Sequence, residues 1–320
     1  MKKVVLLNDT TPDNHYGCTR VINNLNTLIA ESGGIVIHSL KIDQKIFNSE
    51  TKQYLQQADI VIINGEGTFH HGAQRAHDML KLVAELPLKK YLVNATYDSN
   101  PETFATLLKS FDGVTVRESR SQRQLKEQGI DSIVLPDLSL FSESYTSTVR
   151  KGYLYGDSVN FRLAWKMHQL FRDKTDFKVN RICYTSNRWA QVNRYILKGL
   201  RKLDFTKFKT RNLFIARERI TTEQYHQEVA HSNGIITGRY HAICYAINSL
   251  TPFLAVSSNS HKVEGLMEDI GLEGRIIASS QLENFEGFTP LTNEDIEKIE
   301  TFLTEGRKNM LAFYKSVFNN

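Results

Sequence analysis

Short β-branched apolar runs alternate with amphipathic stretches along nearly the whole chain. This alternation limits the fold more than any other feature. Val4–Leu7, Gly34–Leu40, Asp59–Asn64, Tyr91–Asn94, Gly113–Arg117 and Ser132–Leu135 read as strands. Thr19–Ser32, Ala73–Glu85, Pro101–Phe111 and Ser119–Gln128 read as the helices between them. Strands separated by helices predict βαβ units and a mostly parallel sheet. The runs are apolar on both faces, as strands covered by helices on both sides should be.

Residues 141–152, FSESYTSTVRKG, break the rhythm: they are rich in Ser and Thr and carry no periodicity. They read as a linker. A second α/β set follows, with strands expected at Tyr153–Tyr155, Lys178–Tyr184, Asn212–Ala216, Gly234–Thr237, Pro252–Val256 and Arg275–Ala278. Helices are expected at Arg188–Leu203, Thr222–Ser232 and His241–Ser249, and the tail Asn293–Phe318 reads as one or two more. A chain of 320 residues has room for about two domains. The expectation is therefore α/β, with two Rossmann-like domains facing a cleft. Residues 1–145 form the N-terminal one, on the acceptor side. Residues 146–320 form the C-terminal one, with the anionic-donor site and the C-terminal helices.

Composition narrows the partners. The formal net charge is +5. That excess is small for this length, so it permits an anionic ligand without requiring nucleic acid. Cys18, Cys183 and Cys244 are far apart and odd in number, which fits a reducing compartment and no disulfide framework. The apolar run after the basic start is too short for a signal-peptide core. No stretch approaches the ~20 apolar residues of a membrane span. A cytoplasmic protein is expected, with peripheral contact at the inner face of the membrane left open.

In open α/β sheets ligands bind at the carboxyl ends of strands, so motifs there count most. The first strand runs into Asn14-His15-Tyr16-Gly17, where Gly17 allows close backbone approach at a helix start. An ordinary βα loop is the plain alternative, because GxGxxG is absent. The third strand runs into Gly65-Glu66-Gly67-Thr68-Phe69-His70-His71-Gly72. Its glycines let amides face a ligand, Glu66 suits a general base, and His70 or His71 can hydrogen-bond a substrate. Adjacent histidines do not share a face, so a metal site is not expected there. Arg117 closes the fifth strand, where its fork of donors can clamp a carboxylate or phosphate; the plain alternative is a salt bridge. Asp137 follows the next strand and is either a cleft residue or a turn.

In the second half, a strand ends at Gly238 and Arg239-Tyr240-His241 opens a helix. A cation, an imidazole and free N–H groups then share a small volume, which suits an anionic substrate and a proton transfer. The next strand ends in Ser257-Ser258-Asn259-Ser260-His261-Lys262, and Lys262 again favours a phosphate or carboxylate.

These segments resemble the polysaccharide pyruvyl transferase family. Thr115–Leu140, with TVRE and VLPDLSL, is similar to its middle signature. Ile236–Leu272, with ITGRYHAICYAI and LAVSSNSHK, is similar to its C-terminal signature. DIVIINGEGTFHHG stands where the family has a GGG-type segment. The resemblance implies a GT-B-like pair of Rossmann domains. It implies transfer of the enolpyruvyl group of phosphoenolpyruvate onto a sugar hydroxyl pair, forming a ketal, in bacterial surface-polysaccharide biosynthesis (exopolysaccharide, capsule or cell wall). Arg117 and Arg239 would hold the donor's carboxylate and phosphate, with Tyr240, Ser257, Ser258 and Lys262 beside them. His241 would be the general acid and Glu66 a second catalytic group. His15, Tyr16, Gly65, Gly67, Thr68, His70 and His71 would face the acceptor, a saccharide or lipid-linked saccharide. No cofactor is expected beyond phosphoenolpyruvate as co-substrate. No metal is expected either, because no DxD-type carboxylate pair ends a strand.

Two departures stand out: NHYGC replaces an N-x-GD-type loop, and Gly-Glu-Gly with His70-His71 replaces three glycines. Two other readings use the same residues. A GT-B glycosyltransferase would bind nucleotide phosphate with Arg239, His241 and Lys262, and use Glu66 as acceptor base. A non-catalytic saccharide-binding relative would not need Arg117, Arg239 and His241 intact.

Overall fold

The computed structural model describes residues 1–185, 217–257 and 260–319. The expected helix Arg188–Leu203, the expected strand Asn212–Ala216 and Ser258 lie outside the described residues.

The first sheet has six parallel strands: β1 (Lys2–Asp9), β2 (Gly34–Lys41), β3 (Ile60–Glu66), β4 (Lys89–Ala95), β5 (Gly113–Val116) and β6 (Ile133–Val134). Their order is β2-β1-β3-β4-β5-β6. The second sheet, also parallel, contains β7 (Tyr153–Ser158), β8 (Phe177–Val179), β11 (Ile235–Gly238), β12 (Phe253–Val256) and β13 (Ile276–Ile277). Its order is β13-β12-β11-β7-β8. A two-stranded pair, β9 (Tyr184–Thr185) with β10 (Arg217–Glu218), stands apart.

Each strand order reverses once. In the first sheet β2 and β3 flank β1 on opposite sides; in the second, β8 and β11 flank β7. Reversal splays the connecting loops and opens a crevice at the strand ends. The crevices therefore lie at Asn8–Asp9 with Gly65–Glu66, and at Asp157–Ser158 with Gly238–Arg239.

The helices that bear on these ends are α1 (Tyr16–Glu31), α5 (Ser119–Glu127), α7 (Thr222–Ala230), α8 (Tyr240–Asn248), α9 (Lys262–Ile270) and α10 (Asn293–Asn319). The remaining α2 (Ser49–Leu55), α3 (Gln74–Ala84), α4 (Glu102–Leu108) and α6 (Phe161–Phe171) complete the layers. The two-sided strand pattern is realised directly. Val5, Leu7, Val61 and Ile63 enter one core, while Val4, Leu6, Ile60 and Ile62 enter the other.

Three differences from the expected elements have physical causes. The run Lys178–Tyr184 divides into β8 and β9, because Tyr184 leaves the second sheet to pair with Arg217. Phe161–Phe171, not anticipated, is a helix whose Leu163, Ala164, Met167 and Phe171 face inward at helical spacing. The tail is one 27-residue helix. Its Ile299 and Leu303 join the second half's core, whereas Met310, Tyr314, Val317 and Phe318 pack on the first sheet. The expected division after residue 145 would place all of α10 with the second half; its last turns lie against the first. No described helix is long and apolar enough to cross a membrane.

Candidate active site

The carboxyl ends of β1, β3 and β4 share an unusual backbone. Asn8, Glu66 and Asn94 all have left-handed φ, at 67°, 38° and 58°. For Glu66 that conformation costs roughly 1–3 kcal/mol, so the surroundings must hold it. They do. Thr10 donates its hydroxyl to Glu66 Oε1 at 3.0 Å, and Asn64 Nδ2 donates to the same oxygen at 3.2 Å. Asn8 Nδ2 donates to Asn64 O and to Thr68 Oγ1. Gly65 lets β3 and β4 approach; a Cβ there would lie 2.5 Å from Ala95 Cβ. The Gly-Glu-Gly-Thr segment is thus a rigid platform at a switch point.

Arg117, one residue beyond β5, lies over this platform. Its Nε donates to Thr96 Oγ1 at 2.6 Å and its Nη1 to Asp137 Oδ2 at 2.9 Å. Its guanidinium carbon stands 4.3 Å above the Tyr240 ring. Burial works against the charge, but Tyr240 and Asp137 outweigh it and the guanidinium's pKa is raised. Nη2 faces Gly67, where a Cβ would lie 4.0 Å away. Arg117 is only 2% exposed. The expected free clamp is therefore mostly committed to the protein itself, because a buried guanidinium needs its carboxylate.

That carboxylate is shared. Asp137 Oδ2 also lies 3.6 Å from His241 Nε2, and its Oδ1 accepts the Ser139 N–H at 2.9 Å. Burial alone would raise its pKa, yet His241 and Arg117 hold it far below the usual carboxylate range. At 3.6 Å the His241 contact is too long for a full hydrogen bond, and Nε2 has no other partner among the described residues.

Arg239 begins α8 from the second sheet. It makes a two-pronged ion pair with Asp157, Nε to Oδ1 at 3.1 Å and Nη2 to Oδ2 at 2.9 Å. Burial opposes its charge, Asp157 restores it, and the net pKa is raised. Asp157 is the penultimate residue of β7, at the second switch point. Sequence reasoning missed it, although Gly156-Asp157 follows the short apolar run Tyr153–Tyr155 at the kind of strand end already searched.

His15 closes the arrangement from the first half. It caps α1, its Nδ1 accepting the N–H groups of Gly17 at 3.1 Å and Cys18 at 3.3 Å. Its ring meets His241 edge-on, centroids 5.2 Å apart. Only glycine fits at position 17, since a Cβ there would come 2.2 Å from His241 Cβ. Burial, then His241, Arg239 and Lys262, push the His15 pKa well below the usual histidine value. Lys262, the first residue of α9, also bears on His70, whose pKa is lowered by burial first.

The other expected site residues fall as follows. His70 and His71 touch through Nδ1 atoms 2.9 Å apart, and His71 donates its N–H to Asp98 O. Ser257 is exposed at the end of β12. Tyr16 does not face an acceptor. It is 1% exposed, stacked between Tyr184 and Tyr225, and its hydroxyl accepts the Ile220 N–H. A ring of that size is worth more in the second half's core than in solvent, so Tyr16 anchors α1 there.

His15, Cys18 and His241 bring possible ligand atoms within 4.8 Å of one another. The surroundings suit an anion better than a cation. Arg239 and Lys262 bear on His15, its Nδ1 is engaged, and burial raises the Cys18 thiol well above its usual pKa.

A family model described as polysaccharide pyruvyl transferase matches residues 7–260. No curated protein matches the chain. Among solved structures, MnaA of S. aureus with UDP covers 89% of this chain and 87% of its own at 15% identity, with a TM-score of 0.56. The UDP-GlcNAc 2-epimerase of Methanocaldococcus jannaschii with UDP-GlcNAc and UDP covers 95% and 100% at 12% identity, with a TM-score of 0.52. At these identities the likeness establishes a GT-B-like fold and not a substrate.

Proposed function

The chain belongs to the polysaccharide pyruvyl transferase family, and we propose that it moves the enolpyruvyl group of phosphoenolpyruvate onto two hydroxyls of one sugar. The observation that carries this reading is the meeting of Arg239, Lys262, His15 and His241 at the two switch points. A donor bearing a carboxylate and a phosphate needs such a corner. Protonated His241 gives its proton to C3 of the donor, and C2 becomes electrophilic. A sugar hydroxyl forms the first C2–O bond, and its proton returns to His241. The C2–O bond to phosphate breaks, a second hydroxyl closes the ketal, and its proton leaves with phosphate. Arg239 and Lys262 contact the donor. Arg117 acts through Asp137, which faces His241. His241 and Lys262 are buried while His15 and Arg239 are partly exposed, so the donor enters from the His15–Arg239 side. The acceptor is a saccharide of a surface polysaccharide, reached from the Gly67–His71 side.

Thermal unfolding tests the donor. Phosphoenolpyruvate is expected to raise the melting temperature, by the equivalent of about 2.7 kcal/mol at a hundredfold excess over Kd. Arg239→Lys keeps a charge beside Asp157 but loses the fork, and should lose most of the shift. Stabilisation by UDP-sugars with none by phosphoenolpyruvate would instead favour a nucleotide-sugar donor.

A further inference from the structure

We propose that His15 is a donor-contacting residue that acts as a neutral hydrogen-bond donor, its Nε2–H directed at an anionic oxygen of the substrate. The inference deepens the proposed function and rests on its donor assignment. It moves His15 from the acceptor side, where its loop suggested it belonged, to the donor corner.

The tautomer follows from the backbone. Nδ1 accepts two amide hydrogens, from Gly17 and Cys18. An accepting Nδ1 carries no proton, so the proton of the neutral ring is on Nε2. Among the described residues Nε2 has no hydrogen-bond partner. The ring is half-buried and sits against His241, with Arg239 and Lys262 acting on it as well. Each of these neighbours opposes a further positive charge, as does the α1 N-terminus; only Asp137 acts the other way, and the net shift is well downward. A neutral imidazole held in this way is a useful electrophile: it donates to a developing oxyanion without needing to be charged. Placement supports the same role. Gly17 brings the α1 start against His241, so the His15 and His241 rings border one small volume.

Neutrality also divides the labour. His241, facing the ionised Asp137, is the ring able to carry and return a proton. His15, with Nδ1 engaged, is a poor base and a fixed donor.

Two substitutions separate hydrogen bonding to the donor from capping of α1. His15→Ser keeps a capping oxygen but removes the donor. His15→Gln loses the cap but places an amide N–H near the Nε2 position. His15→Ser is expected to melt near the unmodified protein while kcat/KM for phosphoenolpyruvate falls about 100-fold, as loss of one oxyanion donor does. His15→Gln is expected to melt lower and keep most of its turnover. The alkaline limb of the pH profile, where the proton-donating acid is lost, should coincide in His15→Ser and the unmodified protein. The reverse pattern, with Ser active and Gln inactive, would show that His15 only caps the helix. A displaced alkaline limb would show that His15 is the titrating acid. Either result overturns the proposal. If the unmodified protein neither binds nor consumes phosphoenolpyruvate, the donor assignment fails, and this inference fails with it.

Discussion

Two buried carboxylates hold the functional cations, and they do so differently. Asp157 and Arg239 belong to the same sheet and form a closed two-pronged pair across one switch point. Asp137 comes from the first half and divides itself between Arg117 of that half and His241 of the other. The first pair exists whenever the second sheet is folded. The second arrangement exists only when the halves meet. Arg239 is thus fixed within one half, whereas the surroundings of His241 depend on the contact between the halves.

Asparagine at each position is the sharpest way to break the comparison. Asp137→Asn leaves Arg117 buried without its counter-charge, so it should cost about 3–5 kcal/mol of stability as well as kcat. The Asp137 carboxylate is depressed in the folded state, so its stabilisation is present above the ordinary carboxylate range and is lost only in strong acid. The deficit of Asp137→Asn should therefore persist from pH 5 to pH 8 in denaturant titrations. Asp157→Asn frees a less buried arginine, and should raise KM for the donor more than it lowers stability. Equal losses in both variants would remove the distinction.

Gly17→Ala tests the closure itself. Its methyl group would overlap His241, so the two halves cannot keep their spacing. Overpacking of this kind costs about 1–3 kcal/mol. A crystal structure of the variant should show α1 moved away from α8, and kcat should fall with it. An unmoved helix would mean that the halves approach for other reasons.

The smallest effect concerns a second contact between halves. His261, just before α9, places Nε2 3.2 Å from Glu118 Oε1 and Nδ1 3.4 Å from Asp98 Oδ2. Burial lowers its pKa, but the Glu118 hydrogen bond and both carboxylates more than compensate, and the net shift is upward. A raised pKa contributes stability that is complete below about 6.5 and is lost as pH rises through the folded value. The melting temperature should therefore decline by a few degrees between pH 6 and pH 9, and His261→Asn should flatten that part of the curve. An equally steep decline in the variant would place the titration elsewhere.

Most of the candidate corner was legible as position rather than as contact. Arg239 and His241 were found because they follow a β-branched run and open a helix, and Glu66 because glycines flank it at a strand end. Asp157 was missed because it follows the aromatic run Tyr153-Leu154-Tyr155 and opens no helix, the next one beginning at Phe161. Tyr16 shows the converse failure. Its loop is polar and glycine-containing, which suggested an exposed ring, but the ring is buried by residues of the other half that no local pattern connects to it.

The sequence by itself determined the parallel sheets, their two-sided cores and the placing of charged residues at strand ends, because periodicity and β-branching act locally. Only the tertiary structure decided which carboxylate serves which cation and which histidine packs among other cations. Those outcomes depend on burial and on distances between residues far apart in the chain, and charge interactions take their strength from both.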